Sequence, residues 1–309
     1  MKAALSATNS TLSLKTIISE FKEVTKFRLS VSVVISSIAG YLLGVTQFNS
    51  SSWVTLVMLA VGGYCMVGAS NTFNQLIEKD IDLKMDRTKD RPIAAKRMSP
   101  TTAFIIGSLL TLAGLIILYN INPKTAMFGA ISIFLYVSVY TPLKTMTPLS
   151  VFVGAFPGAI PFMLGWVAAT GQFGIEAGTL FMIQFFWQFP HFWAIGWFLY
   201  DDYKKAGIFM LPNGKKDKGT AIQIISYSFW TVLTSLIPVI GYYKPDILGR
   251  FYITPVSAVI VLGLGVWMIV YAFKLYKKRD AKTARTLMLV SVSYITLLQL
   301  VYVLDKFIR

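Results

Sequence analysis

The chain has 309 residues, of which 55% are hydrophobic and only 14% charged, with a formal net charge of +15. Soluble domains carry about a quarter charged residues, so a large soluble domain is excluded and lipid is the expected solvent. A single cysteine, Cys65, and a single histidine, His191, exclude a disulfide framework, a cysteine-based metal site and a multi-histidine site.

A bilayer core takes about 20 mostly apolar residues per helix. In chain order, apolar runs predict helices at about 30–47, 53–73, 101–119, 125–140, 151–169, 177–199, 220–242, 253–273 and 287–304. No alternation typical of barrel strands interrupts them. The expected fold is all-α, a polytopic bundle of nine transmembrane helices in a single domain, 1–309.

Lys and Arg are retained on the cytoplasmic side of spanning helices, and here 24 of 29 fall on one side. They lie in the N-terminal segment (1–28) and in the loops after the second, fourth, sixth and eighth helices. Lys124, Lys244, Arg250, Lys306 and Arg309 take the other side. The N-terminus is therefore expected in the cytoplasm and the C-terminus outside. Anionic lipid headgroups account for the basic excess without nucleic acid. The first 28 residues contain Glu20 and Glu23 and lack a cleavable signal pattern, so insertion is expected to start with the first helix.

The acids are equally uneven. Glu78, Asp80, Asp82, Asp86 and Asp90 follow the second helix, and Asp201, Asp202 and Asp217 follow the sixth. Four helices separate the two loops, which puts both on one face. Asn74, Glu78, Asp82 and Asp86 recur every four residues, so a helical continuation of the second span places them on one stripe. Like charges so placed need a cation, and hard oxygen ligands without His or Cys suit Mg2+, which completes its shell with phosphate oxygens. Lys84, Arg87, Lys89 and Arg91 are interleaved, and Arg forks match phosphate. Acids for metal and bases for phosphate make two halves of a magnesium diphosphate site. A merely solvated, salt-bridged loop would have similar charge, but not the regular spacing and the second acidic loop.

These residues resemble the UbiA superfamily of intramembrane prenyltransferases. Its first motif, Asn-x3-Asp-x3-Asp followed by Arg-Thr and Arg-Pro, corresponds to Asn74, Glu78 and Asp82, then Arg87-Thr88 and Arg91-Pro92, with Glu78 where many members have Asp. Its Tyr-x3-Lys signature corresponds to Tyr140 and Lys144. The second motif, Asp-x3-Asp, is replaced by Tyr200-Asp201-Asp202-Tyr203-Lys204-Lys205-Ala206-Gly207, preceded by Trp187-Gln188-Phe189-Pro190-His191. That departure resembles the protohaem farnesyltransferase branch, the haem O synthases, over essentially the whole chain.

The resemblance implies a central cavity capped by the two acidic loops. It also implies farnesyl transfer from farnesyl diphosphate to a vinyl group of haem b, with water added, and Mg2+ as cofactor. Metal ligands would be Asn74, Glu78 and Asp82, with Asp86 weaker and Asp202 in the second loop, where Asp201 is a helper. Arg87, Arg91, Tyr140, Lys144 and Tyr203 would bind substrate. Lys144 is otherwise a helix-end anchor. His191 is either a satisfied core histidine or a haem contact, since an ionisable group inside a span is a functional candidate. Gly154, Pro157, Gly158, Pro161 and Gly165 concentrate breakers in the fifth helix, for close packing or a kink beside the cavity. The aromatics of the sixth helix fill the membrane core or shield an allylic cation, and Lys274–Arg285 fixes topology.

Haem A synthase or oxidase assembly proteins are the expected partners, and the inner membrane the expected location. The alternatives are prenylation of an aromatic quinone precursor and, from another class, a transporter built on broken helices.

Overall fold

The computed structural model describes residues 13–309. Lys2 and the start of the expected N-terminal cytoplasmic segment lie outside the described residues. The first element, α1 (Leu14–Val24), is an amphipathic helix capped by the Ser13 hydroxyl, with Leu14, Ile17 and Ile18 exposed along one face. Its Glu20 and Glu23 pair with Arg97.

Among the described residues nine long helices follow: α2 (Phe27–Gly44), α3 (Ser50–Ile77), α4 (Pro100–Ile121), α5 (Pro123–Leu143), α6 (Ser150–Thr170), α7 (Ile175–Phe198), α8 (Lys218–Tyr243), α9 (Pro255–Lys278) and α10 (Ala281–Ile308). They occupy the nine apolar runs, with ends set by polar chemistry rather than by hydropathy. Asn49 and Asp280 cap α3 and α10, accepting from Ser52 N and Thr283 N. The basic end of α9 stays helical to Lys278, where hydropathy alone ended it near 273. Eight of the nine are long and apolar enough to cross a membrane. The other, α7, is 24 residues long, and its Gln184, Gln188, His191 and tryptophans lower its hydropathy.

Each helix packs beside its neighbour in sequence, and α10 returns to α2, so the bundle closes as a ring. Contacts of α2 with α6 and of α7 with α10 cross its middle. Leu109, Val57, Val256 and Val259 project from the outside of the ring, as lipid-facing residues must.

The glycines of α6 are packing positions. A Cβ on Gly154 would meet the Tyr140 ring at 2.7 Å, one on Gly158 would strike Gln188, and one on Gly165 would strike the backbone oxygen of Ser37. Pro161 lacks an N–H, which frees the carbonyl of Pro157, and Ser132 Oγ of α5 donates to it at 3.3 Å. The helix therefore runs unbroken from 150 to 170 despite both prolines. Gly165→Ala is expected to destabilise the bundle by about 2 kcal/mol, the usual size of core overpacking. Thermal unfolding in detergent checks this, with Gly178→Ala, where a Cβ meets nothing, as the silent control.

Candidate active site

At the end of α3 the chain turns without a Gly or Pro. Glu78 is the C-cap of the long helix, and a single turn, Lys79–Asp82, follows. Helical spacing therefore holds from Asn74 through Glu78 to Asp82, and all three side chains are buried. It does not extend to Asp86. Beyond Asp82 the chain makes tight turns instead of a helix, and Asp86 is exposed and paired with Lys205 at 2.7 Å and Lys89 at 3.4 Å. The expected four-membered stripe is thus three-membered. Lys205 and Lys89 hold the Asp86 carboxyl below the usual carboxylate range.

Each buried acid has a cationic partner. Arg91 Nη1 donates to both oxygens of Asp82 at 2.8 Å, and Lys144 Nζ donates to Glu78 Oε1 at 2.7 Å. Burial nevertheless pushes the Asp82 carboxyl up, with Arg91 opposing and nearby Glu78 adding to the rise. Asn74 Nδ2 donates to Thr141 Oγ1 at 3.3 Å. Tyr140 and Lys144 stand together, with the ammonium 4.5 Å from the ring centroid. They are presented by a π-helical segment, Leu135–Tyr140, at the end of α5. Such wide turns recur at functional sites.

The two acidic loops meet. Asp202 Oδ1 accepts from the backbone N–H of Asp86 at 3.0 Å, and the Arg87 guanidinium lies over Tyr203, 5.7 Å from the ring centroid, with Nη2 3.4 Å from its hydroxyl. Phe209 N donates to the Lys144 carbonyl at 2.8 Å, which ties the second loop to the end of α5. Asp217 is spent differently, as the N-cap of α8 accepting from Thr220 N at 2.7 Å. Asp201 is exposed and faces Lys216 at 3.4 Å. Asp86→Ala is accordingly expected to cost turnover far less than Asp82→Ala, and a side-by-side rate comparison checks it.

One site residue was not foreseen. Lys26, between α1 and α2, reaches in and donates to Asn74 Oδ1 at 3.3 Å. Burial, then Arg91 and Lys144, lower its pKa well below that of a free lysine. Its backbone is left-handed, φ 48°. The only sequence signal was a lysine just before the first span, which reads equally as a topology flank.

Deeper in the bundle, His191 Nδ1 lies 2.9 Å from Ser291 Oγ, and its ring stacks on Trp187 at 4.7 Å. Ser291 Oγ gives its own proton to the Met288 carbonyl at 2.7 Å, so it accepts from His191 Nδ1–H. That bond fixes the tautomer and leaves the Nε2 lone pair of a neutral imidazole uncommitted among the described residues.

Among the described residues, no three Asp, Glu, His or Cys side chains gather into a metal cluster. Two carboxylates and an amide oxygen still fit Mg2+, which is held by one or two carboxylates plus substrate phosphates rather than by an all-protein cage. The arrangement can therefore take a metal together with an anion, each freeing partners for the other.

A helical ring with an acid-and-base mouth of this kind is an intramembrane prenyltransferase architecture, and the chain matches the UbiA prenyltransferase family over residues 33–297. The chain belongs to that family. It is 66% identical over 305 residues to the Protoheme IX farnesyltransferases of Flavobacterium psychrophilum and Flavobacterium johnsoniae, covering 99% of this chain and 100% of each relative. The Protoheme IX farnesyltransferase of Cytophaga hutchinsonii is 41% identical, with 92% of this chain and 96% of the relative covered. The fold is shared with a solved digeranylgeranylglyceryl phosphate synthase at TM-score 0.74 and 15% identity, covering 93% and 98% of the two chains. It is shared also with a UbiA homologue from Archaeoglobus fulgidus bound to GPP and Mg2+, at TM-score 0.63 and 15% identity, covering 92% and 99%.

Proposed function

We propose that the protein transfers the farnesyl group of farnesyl diphosphate to a vinyl group of haem b, with addition of water, giving haem O. The observation that carries this is the two-thirds identity to Protoheme IX farnesyltransferases along the whole chain. Haem b is a substrate in this reading.

The buried acid–base mouth is the diphosphate end. Asn74, Glu78 and Asp82 are the groups that would hold Mg2+, which when bound neutralises charge on the leaving diphosphate. Lys144 and Arg91, now on Glu78 and Asp82, turn to the diphosphate oxygens as these acids change partner. Arg87, Tyr203 and Tyr140 line the approach. Donors fixed in a water-poor site stabilise developing negative charge far better than water does. Cleavage of the C–O bond sends its electron pair to diphosphate and leaves an allylic cation. The vinyl π electrons of haem attack that cation, and water captures the new cation beside the porphyrin, releasing one proton. His191 Nε2 is the group that would ligate or orient the haem iron. Asp202 either joins the metal or positions water.

The reading includes the cytoplasmic (inner) membrane as location, with the N-terminus in the cytoplasm and the C-terminus opposite, supported by the bias of Lys and Arg. It includes hand-over of product to haem A synthase or oxidase assembly proteins. Expression in a bacterium lacking its own haem O-forming enzyme is expected to restore haem O to the membranes. Unchanged haem b, with the protein present and folded, would refute the assignment.

A further inference from the structure

The middle of the bundle, far from the mouth, is polar. Ser36 of α2, Gln184 and Gln188 of α7 and Gln299 of α10 are all buried there, against the backbone of α6. Gln299 Nε2 donates to Ser36 Oγ at 3.1 Å and to Gln184 Oε1 at 3.4 Å. Gln188 Nε2 donates to the carbonyl of Ala155 at 2.9 Å and to that of Gln184 at 3.2 Å. Its amide lies against Gly158, where any Cβ would overlap Oε1.

These bonds use the amides unevenly. An amide offers two N–H protons and one acceptor oxygen. Both protons of Gln188 and both of Gln299 are spent, whereas Gln184 Nε2 and Gln188 Oε1 have no partner among the described residues. Gln184 is 7% exposed and Gln188 2%. Buried polar groups are nearly always hydrogen-bonded, and an unmet one is most costly in hydrocarbon. Polar clamping between helices accounts for the bonds of Gln299 and Ser36. It does not account for a donor and an acceptor left over one turn apart on α7.

The leftover pair is also remote from charge. No Asp, Glu, Lys or Arg occurs in residues 29–44 of α2, 150–170 of α6, 177–198 of α7 or 287–304 of α10. The group that fits is therefore neutral, and it accepts one hydrogen bond while donating another. A carboxylic acid in its protonated form does both, and burial away from charge favours that form.

His191 stands on the same stripe of α7 as Gln184 and Gln188. Seven residues separate it from Gln184, about 10 Å along the helix. That is close to the span from the central iron of a porphyrin to a carboxyl group on its rim. Trp187 and His191 complete their own bonds on Ser291, so neither competes for the leftover pair.

We propose that Gln184 and Gln188 bind one propionic acid group of haem, as a second anchor beside His191. This rests on the reading above in which haem is the acceptor. Gln184 Nε2 donates to the carbonyl oxygen of the acid, and Gln188 Oε1 accepts from its hydroxyl. An iron–imidazole contact alone lets the ring turn about it. A carboxyl group held two turns deeper stops that rotation, so the same vinyl group faces the diphosphate in every turnover.

The test compares haem b with its dimethyl ester, which cannot donate. Each is titrated into the purified protein and followed by its Soret band. Wild type is expected to bind the acid about tenfold more tightly than the ester, as for one hydrogen-bonded pair. Gln184→Met and Gln188→Met should each bring the two ligands within about twofold of one another. The added methyl groups are the same in every protein, so a preference that vanishes in the variants belongs to the amides and not to bulk. In turnover, wild type should give one prenylated haem isomer, and the variants a second of equal mass, separable by chromatography.

If wild type binds neither ligand, the haem reading fails and this proposal with it. Equal binding of acid and ester by wild type, or a preference kept in both variants, overturns the carboxyl subsite alone. If one variant unfolds, the other decides. Unfolding of both would assign the amides to helix packing and overturn their binding role.

Discussion

Replacement of Asp82 by Ala is expected to lower turnover by about a hundredfold or more, the scale on which loss of one preorganised electrostatic group acts. Asp82 is fully buried and is, among the described residues, the carboxylate partner of Arg91. Removing it takes away a proposed metal donor and strands a guanidinium whose side chain is only 17% exposed. Breaking a buried pair from one side costs about 3 kcal/mol, so a stability loss should accompany the rate loss. Asp82→Asn separates the two, because its amide oxygen still accepts a hydrogen bond from Arg91 while the carboxylate charge is removed. Measured at saturating farnesyl diphosphate, with the folded fraction determined by thermal unfolding, it should retain most of the stability and little of the turnover. Full activity in both variants would remove Asp82 from the metal site. Glu78→Ala should behave similarly, with Lys144 as the stranded cation.

The second large effect is expected at His191. His191→Ala should weaken haem b binding by about tenfold or more, as for loss of one good ligand contact, and shift its Soret band. Affinity for prenyl diphosphate should stay within about twofold. The asymmetry follows from position: His191 lies on α7 with Ser291 and Trp187, away from the hydrogen bonds that knit Asn74, Glu78 and Asp82 to the basic residues. Ser291→Ala should shift the spectrum less, since it frees the tautomer without removing the ring. Loss of diphosphate binding with an unaltered haem spectrum would assign His191 to the other substrate.

Much of this architecture was legible because lipid imposes a simple rule. Long apolar runs became helices, and the placement of both acidic loops on one face is realised in the bond between Asp86 N and Asp202. The i, i+4 spacing brings Asn74, Glu78 and Asp82 onto one buried stripe because these positions sit on continuous or nearly continuous helix. It misplaced Asp86 because nothing local in Lys79–Asp86 signals a stop. The end after Asp82 comes from tertiary pairing, with Arg91 folding back onto Asp82 and Thr88 Oγ1 donating to its carbonyl at 2.8 Å. Lys26 escaped notice for a similar reason: its inward course depends on a left-handed residue held by Asn71 and Gln75 of α3, more than 40 positions away. The breakers of α6 were readable as close packing, but which neighbour each glycine admits is visible only in the fold.

Farnesyl transfer to haem is decided by incubating detergent-purified protein with farnesyl diphosphate, Mg2+ and reduced haem b, with quinone precursors offered in parallel, and weighing the products by mass spectrometry. A haem product heavier than haem b by one farnesyl group and the elements of water is expected. A prenylated aromatic beside untouched haem, or no covalent product from any acceptor with folded protein, would contradict it.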